Sequence, residues 1–400
     1  MKVVFTVFPE TKDRDLQTEI NCLPPDAEIL RAVYEPEHLD AYYEILSQAD
    51  AVISDFAPIR KEAIDRMQKC KIIALETTGF NFVDVEYAKS RGIAVTNVSG
   101  YCTQEVADHT LALILSLERR FPYLRRRIEE DYAWEMETIQ KMGVHRIEGQ
   151  TLGIIGFGKI GKAVAQRARS FGMKIVAYDP YVPKEVMDNM NVNRAELDEL
   201  LEISDIISVH MNLTEDNEGL LNMDMFRKMK KQPFLINVAR GGAVVEADLV
   251  QALDLGLVKG AALDVLESET PDLTKNPLLH RDNVILTPHT AFYSDEAYRI
   301  SLEIGAYNAR YYCEGKMGQV QNSLQTEEEI MEKVILHLHR CKACGRCIEE
   351  CPKGAVSRSG KTNKKGYEVV EVNQELCVAC ATCYTVCPDY VFEICSGKVQ

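Results

Sequence analysis

The chain has 400 residues, of which 46% are hydrophobic and 27% charged, a composition typical of a folded protein with two or three domains. Its formal net charge of −15 disfavours nucleic acid as a partner, because binding phosphates needs a basic surface. No apolar run approaches the ~18 residues of a membrane-spanning helix, and the opening MKVVFTVFPE becomes acidic too soon for a signal peptide. We therefore expect no membrane partner.

The first hundred residues alternate short apolar runs with polar stretches of helical spacing. The apolar, β-branched runs predict parallel strands: KVVFTVF, AVISD, KIIALET and IAVTNV. Between them, HLDAYYEILSQA and APIRKEAIDRMQK predict helices, which gives a βαβ order. The stretch TQEVADHTLALILSLERR then predicts one long helix with Thr103 as its N-cap. A charged segment with the only tryptophan, Trp134, follows as either a solvated connector or a dimer arm.

A second βαβ series begins near Gln150. Its six strand-like segments are TLGIIG, KIVAYD, IISVHM, FLINVA, GAALDV and NVILTP. With helices between them, these segments predict a full doubly wound parallel sheet. The stretch SDEAYRISLEIGAYNARYYCEG predicts another long helix, and the acidic QTEEEIMEK after it predicts a linker.

A dinucleotide site is predicted at the start of this second series. Gly156, Gly158 and Gly161 form a G-x-G-x-x-G pattern between a strand and a helix. Such glycines allow a tight turn, close approach of a pyrophosphate and close packing of helix on strand, with the helix N-terminus facing the phosphates. The cofactor site therefore includes two further residues at this N-terminus, Lys159 and Ile160.

Asp179 ends the next predicted strand, KIVAYD. Its carboxylate can accept both ribose hydroxyls, and its charge would repel a 2′-phosphate. We therefore predict NAD rather than NADP as the cofactor. A glycine turn without a ligand is the alternative.

Three charged or titrating residues follow strand-like segments of the second series: Arg240, Glu269 and His289. The carboxyl ends of strands in a doubly wound sheet face one crevice beside the cofactor. There an arginine can hold a carboxylate, a histidine can move the proton of a hydroxyl, and a carboxylate can orient that histidine. Taken singly, each also suits a surface position, and Glu267 is an equal candidate for the carboxylate.

These segments together resemble the D-isomer-specific 2-hydroxyacid dehydrogenase family over about residues 1–320. The resemblance is carried by LGIIGFGKIG, INVARGGAVVEADLVQAL, GAALDVLESETP, TPHTAFYSDEA and TTGFNFVDVEYAKSRGIAVTNVSGYCTQEVADHTLAL, in the family's order. It implies Arg240 as the group that binds the substrate carboxylate, His289 as acid and base, and Glu269 rather than Glu267 as the histidine's partner.

The same resemblance implies further site residues. Asp264 would hold the nicotinamide amide, and the backbone amides of Thr78 and Gly79 would bind the substrate carboxylate. Tyr101 lies in a loop that contributes to substrate selection. Two departures from the family bear on substrate choice: Glu76 stands where many relatives carry a basic residue, and Cys102 follows Tyr101.

The implied fold class is α/β, with two doubly wound Rossmann-like domains and a small α+β ferredoxin-like domain. The substrate domain would be discontinuous, formed by residues 1–101 and 291–325, with the NAD-binding domain at 102–290 between them. The ferredoxin-like domain would occupy 333–400. The family resemblance also implies a cleft between the first two domains and a homodimer formed through the NAD domain and the Trp134 connector.

The ferredoxin-like prediction rests on cysteine spacing. Eight of the thirteen cysteines fall in two runs of the form C-x₂-C-x₂-C-x₃-C-P, CKACGRCIEECP and CVACATCYTVCP. A single C-x₂-C pair could bind zinc, but two complete runs resemble bacterial two-cluster ferredoxins, in which the fourth cysteine of each run ligates the other cluster. We predict two [4Fe–4S] clusters, the first held by Cys341, Cys344, Cys347 and Cys387 and the second by Cys377, Cys380, Cys383 and Cys351. The preceding KVILHLH predicts this domain's opening strand.

The other five cysteines are scattered and odd in number, which fits a reducing, cytoplasmic location better than a disulfide framework. The whole pattern predicts an NAD-dependent enzyme that interconverts a 2-oxo acid and a D-2-hydroxy acid. The alternative is a redox-sensing or electron-transfer protein that binds NAD(H) as a signal without turnover. Nicotinamide passes two electrons and a cluster normally one, so an external redox protein or flavoprotein is a candidate partner; sensing and structural support are the other roles for the clusters.

Overall fold

The computed structural model describes residues 1–134, 143–324, 334–373, 376–378 and 380–394. The chain divides into two compact units, Met1–Asn322 and Ser323–Gln400. The predicted linker QTEEEIMEK, and with it the predicted domain limits at 325 and 333, lie outside the described residues. Among the described ranges, none of the helices has both the length and the apolar character needed to cross a membrane.

The first unit opens with a five-stranded parallel sheet in the order β2-β1-β3-β4-β5. Its strands are β1 (Lys2–Val7), β2 (Glu28–Val33), β3 (Ala51–Ser54), β4 (Ile72–Leu75) and β5 (Ala94–Thr96). The helices between them are α1 (Gln17–Cys22), α2 (Leu39–Leu46), α3 (Lys61–Arg66) and α4 (Val85–Ser90). The four predicted strands are confirmed, whereas the edge strand β2 was not predicted.

A seven-stranded parallel sheet in the order β12-β11-β10-β9-β6-β7-β8 follows. Its strands are β6 (Thr151–Ile155), β7 (Lys174–Tyr178), β8 (Asn193–Arg194), β9 (Ile206–Val209), β10 (Phe234–Asn237), β11 (Gly260–Leu263) and β12 (Val284–Leu286). The helices in this part of the chain are α5 (Thr103–Glu118), α6 (Phe121–Glu129), α7 (Lys159–Ser170), α8 (Lys184–Asn189), α9 (Leu197–Ile203), α10 (Met223–Lys228) and α11 (Glu246–Asp254), and α12 (Asp295–Cys313) follows the last strand. The six predicted strands are confirmed, and the two-residue β8 is additional.

The long helices α5 and α12 pack on different sheets. Helix α12 buries Ala306 and Ala309 in the core of the first sheet, although it follows the second sheet in sequence. Helix α5 buries Leu111 and Ile114 in the core of the second sheet. The N-cap of α5 is Cys102, and the prediction of Thr103 is wrong because the Thr103 hydroxyl donates to the carbonyl of Gly100, 3.2 Å away.

The segment after α5 presents apolar side chains to solvent. Phe121 on α6 is 56% exposed and Trp134 is 88% exposed. The predicted dimer arm continues into residues 135–142, which lie outside the described residues.

The second unit contains two antiparallel strand pairs. Strand β13 (Val334–Leu336) pairs with β16 (Phe392–Ile394), and β14 (Val356–Thr362) pairs with β15 (Glu368–Val372). Two short helices, α13 (Arg346–Glu349) and α14 (Thr382–Val386), begin within the two cysteine runs. The predicted strand KVILHLH is too long, because a 3₁₀ turn over Leu338–Arg340 replaces its end.

A buried ion triad lies behind the loop that follows β4. The Arg14 guanidinium donates to Glu19 Oε1 at 2.6 Å and to Glu76 Oε2 at 2.9 Å. The other oxygens of both carboxylates, Glu19 Oε2 and Glu76 Oε1, are buried without a hydrogen-bond partner. Burial raises the pKa of Glu76 well above its ordinary value; Arg14 opposes this shift, and the charges of Glu19 and Asp55 add to it. Glu76 therefore faces the protein interior.

This arrangement predicts a stability that falls with rising pH. Above the ordinary glutamate pKa of ~4.3 the unfolded chain releases the Glu76 proton while the folded chain retains it, so the free energy of unfolding falls by at most ~1.4 kcal/mol per pH unit up to the raised pKa. Glu76→Gln keeps the hydrogen bond to Arg14 without this titration. We expect its Tm advantage over the unaltered protein to grow between pH 4.5 and pH 8 in thermal unfolding.

Glu86→Gln is the matched control, because the Glu86 side chain is 81% exposed. Its Tm difference from the unaltered protein should not depend on pH. An equal Tm difference for Glu76→Gln at both pH values would show that Glu76 is ionised in the folded protein throughout.

Candidate active site and cysteine pockets

The glycine turn between β6 and α7 is held by close backbone contacts. Gly156 has a φ of +94°, and a Cβ at this position would lie 2.6 Å from the amide nitrogen of Met211. A Cβ at Gly161 would lie 2.3 Å from the carbonyl oxygen of Gly156. Both positions therefore exclude any side chain.

Gly158 differs from these two glycines. A Cβ on Gly158 would meet no protein atom within 4 Å, so the protein itself leaves this space open. Helix α7 begins directly after it, and the N–H groups of a first helical turn have no intrahelical acceptor. Lys159 is exposed at this helix start, and Ile160 packs its side chain against the core. An open backbone at a helix N-terminus fits the pyrophosphate of a dinucleotide.

Asp179 lies beside the same turn. Its Oδ2 accepts from the Phe157 N–H at 2.8 Å and its Oδ1 from the Tyr181 N–H at 2.9 Å. Burial lowers the pKa of nearby Lys162, while the charge of Asp179 opposes that shift. A carboxylate thus lies at the end of β7, where a ribose would lie. Lys162 lies near it, and no sequence motif indicated this lysine.

Arg240 lies against the loop that follows β4. A Cβ on Gly79 would come within 3.0 Å of the Arg240 Nη2. Within the described ranges, Arg240 has no ion-pair partner, and the N–H groups of Thr78 and Gly79 have no hydrogen-bond acceptor. The Thr78 hydroxyl is fixed by a 2.7 Å bond to the carbonyl of Val98. Arg240 Nη1 donates to the Ala239 carbonyl at 2.7 Å, so the rest of the guanidinium and two backbone donors are available to an anion.

Asn237 shapes the turn that carries Arg240. Its amide donates to the Arg240 carbonyl at 3.0 Å and accepts from the Ala239 N–H at 3.1 Å. The sequence placed this residue in INVAR without indicating a role, although asparagine side chains commonly hold such turns.

An apolar wall borders Arg240. The Tyr101 ring lies 6.5 Å from the ring of Phe292, and the pKa of Tyr101 is raised, chiefly by burial. Cys102 beside it is also buried, and burial raises the pKa of its thiol to about 11. A thiol in this state is a poor nucleophile, so Cys102 contributes shape rather than reactivity.

His289 and Glu269 form a direct pair. The His289 Nδ1 lies 2.8 Å from Glu269 Oε2, and Nε2 is the nitrogen that this contact leaves for a substrate. The alternative carboxylate, Glu267, is engaged elsewhere: its Oε1 accepts from the Glu246 N–H at 2.8 Å. The geometry therefore favours Glu269 over Glu267, which sequence spacing alone did not decide.

His289 has a left-handed backbone, with a φ of +50°, which is uncommon for a residue other than glycine. Asp264 holds this conformation. Its backbone carbonyl accepts the His289 N–H at 2.8 Å, and its carboxylate accepts the N–H groups of Thr290 and Ala291, each at 2.9 Å. Asp264 is only 2% exposed, so in this structure its carboxylate organises the histidine loop.

In the second unit, the eight predicted cysteines line two separate pockets. One pocket, with about 280 Å³ of empty volume, is lined by Cys341, Cys344, Cys347 and Cys387. The other, with about 350 Å³, is lined by Cys351, Cys377, Cys380 and Cys383. The fourth cysteine of each run thus lies with the first three of the other run.

The thiols of each pocket are electrostatically close. Burial, followed by the charges of Cys387, Cys344 and Cys341, raises the pKa of Cys347 to about 11. No three His, Cys, Asp or Glu side chains in the described part of the chain are placed to hold one metal ion. Four thiols around a pocket fit a larger, polynuclear group, because each thiolate then binds a different iron.

The fourth cysteines share a further feature. Cys351 Sγ accepts the Ala355 N–H at 3.2 Å, and Cys387 Sγ accepts the Val391 N–H at 3.5 Å. Burial opposes ionisation of Cys351, but the surrounding N–H groups outweigh it and lower the pKa. Such N–H···S bonds tune iron–sulfur sites.

Two families match the chain. Residues 111–291 match the family described as D-isomer specific 2-hydroxyacid dehydrogenase, NAD binding domain. Residues 340–391 match the family described as 4Fe-4S dicluster domain. The first match includes the glycine turn, Arg240 and His289, and the second includes all eight pocket cysteines.

Individual proteins extend the similarity beyond these ranges. A hydroxypyruvate reductase of Blautia hydrogenotrophica is 34% identical over 296 residues, covering 72% of this chain and 91% of that protein. A D-3-phosphoglycerate dehydrogenase of Methanocaldococcus jannaschii is 32% identical over 317 residues, covering 78% of this chain but only 59% of that protein. The crystal structure of a D-lactate dehydrogenase from Aquifex aeolicus, complexed with NAD and lactic acid, has a TM-score of 0.70 at 28% identity and covers 82% of this chain and 100% of its own.

The position of Asp179 predicts how the site discriminates between NADH and NADPH. Replacing Asp179 with serine removes the charge that would repel a 2′-phosphate and leaves Lys162 to attract it. We expect the preference for NADH, measured as the ratio of the two dissociation constants by fluorescence titration, to fall about 10-fold or more.

Asp188→Ser removes an equal charge on the exposed surface of α8 and should leave the ratio unchanged. An unchanged ratio in Asp179→Ser as well would place the ribose contact elsewhere.

Proposed function

Because the chain belongs to the D-isomer-specific 2-hydroxyacid dehydrogenase family and carries a 4Fe-4S dicluster domain, we propose that it reduces a 2-oxo acid to the D-2-hydroxy acid with NADH, or catalyses the reverse reaction. The proposal rests on the pair formed by His289 Nδ1 and Glu269 Oε2, 2.8 Å apart. Arg240, which lies against Gly79, belongs to the same compact unit. The relatives' names support the substrate class, since they are a hydroxypyruvate reductase and a D-lactate dehydrogenase.

Substrate binding would depend on Arg240. Its planar guanidinium can grip a carboxylate with two parallel hydrogen bonds, and it has no competing carboxylate among the described residues. The N–H groups of Thr78 and Gly79, which have no acceptor among the described residues, would complete the cradle. Tyr101 and Phe292 would border the substrate's side chain.

Proton transfer would depend on His289. Its Nε2 would donate a proton to the carbonyl oxygen of the 2-oxo acid as that oxygen gains charge. Glu269, bonded to Nδ1, would fix the ring's orientation and stabilise its protonated form. NADH, when bound, would supply the hydride for the carbonyl carbon of the 2-oxo acid. The glycine turn, Lys159, Ile160 and Asp179 would hold the NADH.

For the second unit we propose two [4Fe–4S] clusters with crossed ligation, supported by the two cysteine pockets. The first would be held by Cys341, Cys344, Cys347 and Cys387, and the second by Cys351, Cys377, Cys380 and Cys383. Cys344 and Cys380 are the exposed members of the two sets. An exposed thiolate edge favours electron exchange with another molecule.

The clusters point to an external partner. A hydride carries two electrons, whereas a cluster normally passes one at a time, so we propose a separate redox protein or flavoprotein as the clusters' electron donor or acceptor. We also propose a cytoplasmic homodimer, supported by the exposed Phe121 and Trp134. A redox sensor that binds NAD(H) without turnover is the alternative, and the dicluster match is the observation that favours it.

The catalytic roles predict a loss of rate without a loss of cofactor binding. His289→Asn removes the proton donor while asparagine still tolerates a positive φ, and Arg240→Gln removes the carboxylate grip. We expect each to lower kcat/KM for a 2-oxo acid about 10²–10⁴-fold, as measured by NADH consumption, while NADH still binds in fluorescence titration.

His280→Asn is the matched control, because His280 is exposed and also has a positive φ, +59°. It should retain full activity. Turnover near that of the unaltered protein in both His289→Asn and Arg240→Gln would refute the assigned roles.

Crossed ligation predicts which cysteine pairs belong together. The double variant Cys344→Ala/Cys387→Ala removes two ligands of one cluster, so about one reducible four-iron cluster should remain per chain. The same-run variant Cys344→Ala/Cys351→Ala removes one ligand from each cluster and should leave about none intact. Spin quantification by EPR after reduction, with iron and sulfide analysis, measures both. If instead Cys344→Ala/Cys351→Ala keeps about one cluster and Cys344→Ala/Cys387→Ala keeps none, each run holds its own cluster.

A further inference from the structure

Helix α5 contacts both ends of the loop that carries His289, which runs from Thr287 to Ser294. Glu105 and His109 lie four residues apart and therefore on one face of α5. The Ser294 hydroxyl donates to Glu105 Oε1 at 2.9 Å, at the loop's far end. At its near end, His109 Nε2 lies 3.1 Å from the hydroxyl oxygen of Thr287.

The hydrogen bonds at the near end have a defined direction. The Thr287 hydroxyl lies 2.5 Å from Asp264 Oδ1 and donates its only proton to this carboxylate, which also accepts the N–H of Thr290. The hydroxyl oxygen can then only accept from His109, so His109 Nε2 carries a proton. The order of donation is His109 to Thr287 to Asp264.

Asp264 connects this series of hydrogen bonds to the catalytic loop. The carboxylate that receives the Thr287 proton also accepts the N–H groups of Thr290 and Ala291, on the C-terminal side of His289. We propose that His109 and Thr287 form a positioning relay that fixes the Asp264 carboxylate and, through it, the left-handed backbone of His289. This inference rests on the proposed function, in which His289 moves the proton.

A direct ion pair between His109 and Asp264 is a weaker description. The His109 Nε2 is 3.7 Å from Asp264 Oδ1, beyond hydrogen-bond distance, whereas Thr287 lies between them. The neighbouring Asp108 is bonded to Arg167 at 2.6 Å and takes no part in these bonds. The hydroxyl of Thr287 is therefore an essential link.

The relay makes a prediction that distinguishes positioning from general stabilisation. Because it acts on His289 and not on Arg240, His109→Leu should lower kcat about 3- to 10-fold with an unchanged KM for the 2-oxo acid. Thr287→Val should have the same effect. His109→Gln and Thr287→Ser, which keep an N–H donor and a hydroxyl, should restore most of kcat.

The double variant His109→Leu/Thr287→Val tests whether the two residues act in series. A relay is broken by either change, so the double variant should lose no more activity than the worse single variant. Losses that multiply would overturn the relay. Asp108→Asn, on the same helix, is the control and should leave kcat unchanged.

Hydrogen–deuterium exchange of the full chain gives a readout that needs no turnover. Amides of residues 289–291 should exchange faster in His109→Leu and Thr287→Val, but not in His109→Gln, Thr287→Ser or Asp108→Asn. Unchanged exchange in both disruptive variants would overturn the inference even in an active enzyme. If the unaltered protein reduces no 2-oxo acid, the proposed function fails, and the exchange data alone decide whether the relay exists.

Discussion

The buried carboxylate of Asp264 is the constraint on which the active-site loop depends. It accepts a hydroxyl and two backbone N–H groups from residues 287–291, and the backbone carbonyl of Asp264 takes the N–H of His289. Burying this carboxylate without hydrogen-bond donors would cost free energy. The donor groups must therefore lie around it, so the position of the Asp264 carboxylate fixes the positions of these groups. The positive φ of His289 persists because four hydrogen bonds define it, and the imidazole then meets Glu269.

The substrate side of the site is organised by a different charge arrangement. Glu76 precedes the loop with Thr78 and Gly79, and it is buried against Arg14. Arg14 donates to two carboxylates. Arg240 contacts the loop and has no carboxylate partner among the described residues. Anion binding thus depends on one arginine and backbone donors.

Much of this architecture follows from local sequence. The strands β6, β7 and β9 to β12 and the glycine turn could be predicted, because buried parallel strands are short and β-branched and glycine occurs where backbones touch. The two-residue strand β8 could not. Strand β2 was missed because EILRAV is mixed in character, and only Ala32 is buried in it. Spacing alone left Glu269 and Glu267 equal; the family resemblance chose Glu269, and the geometry favours the same residue. The contact of His109 with Thr287 joins residues 178 positions apart, so no local pattern could indicate it.

The configuration of the product tests the proposed reaction most directly. Purified protein, NADH and a panel of 2-oxo acids would be incubated together, and the 2-hydroxy acids separated by chiral chromatography. We predict the D enantiomer alone, formed in equal amount to the NADH consumed. Formation of the L enantiomer, or binding of NADH without any hydroxy acid from any member of the panel, would contradict this prediction.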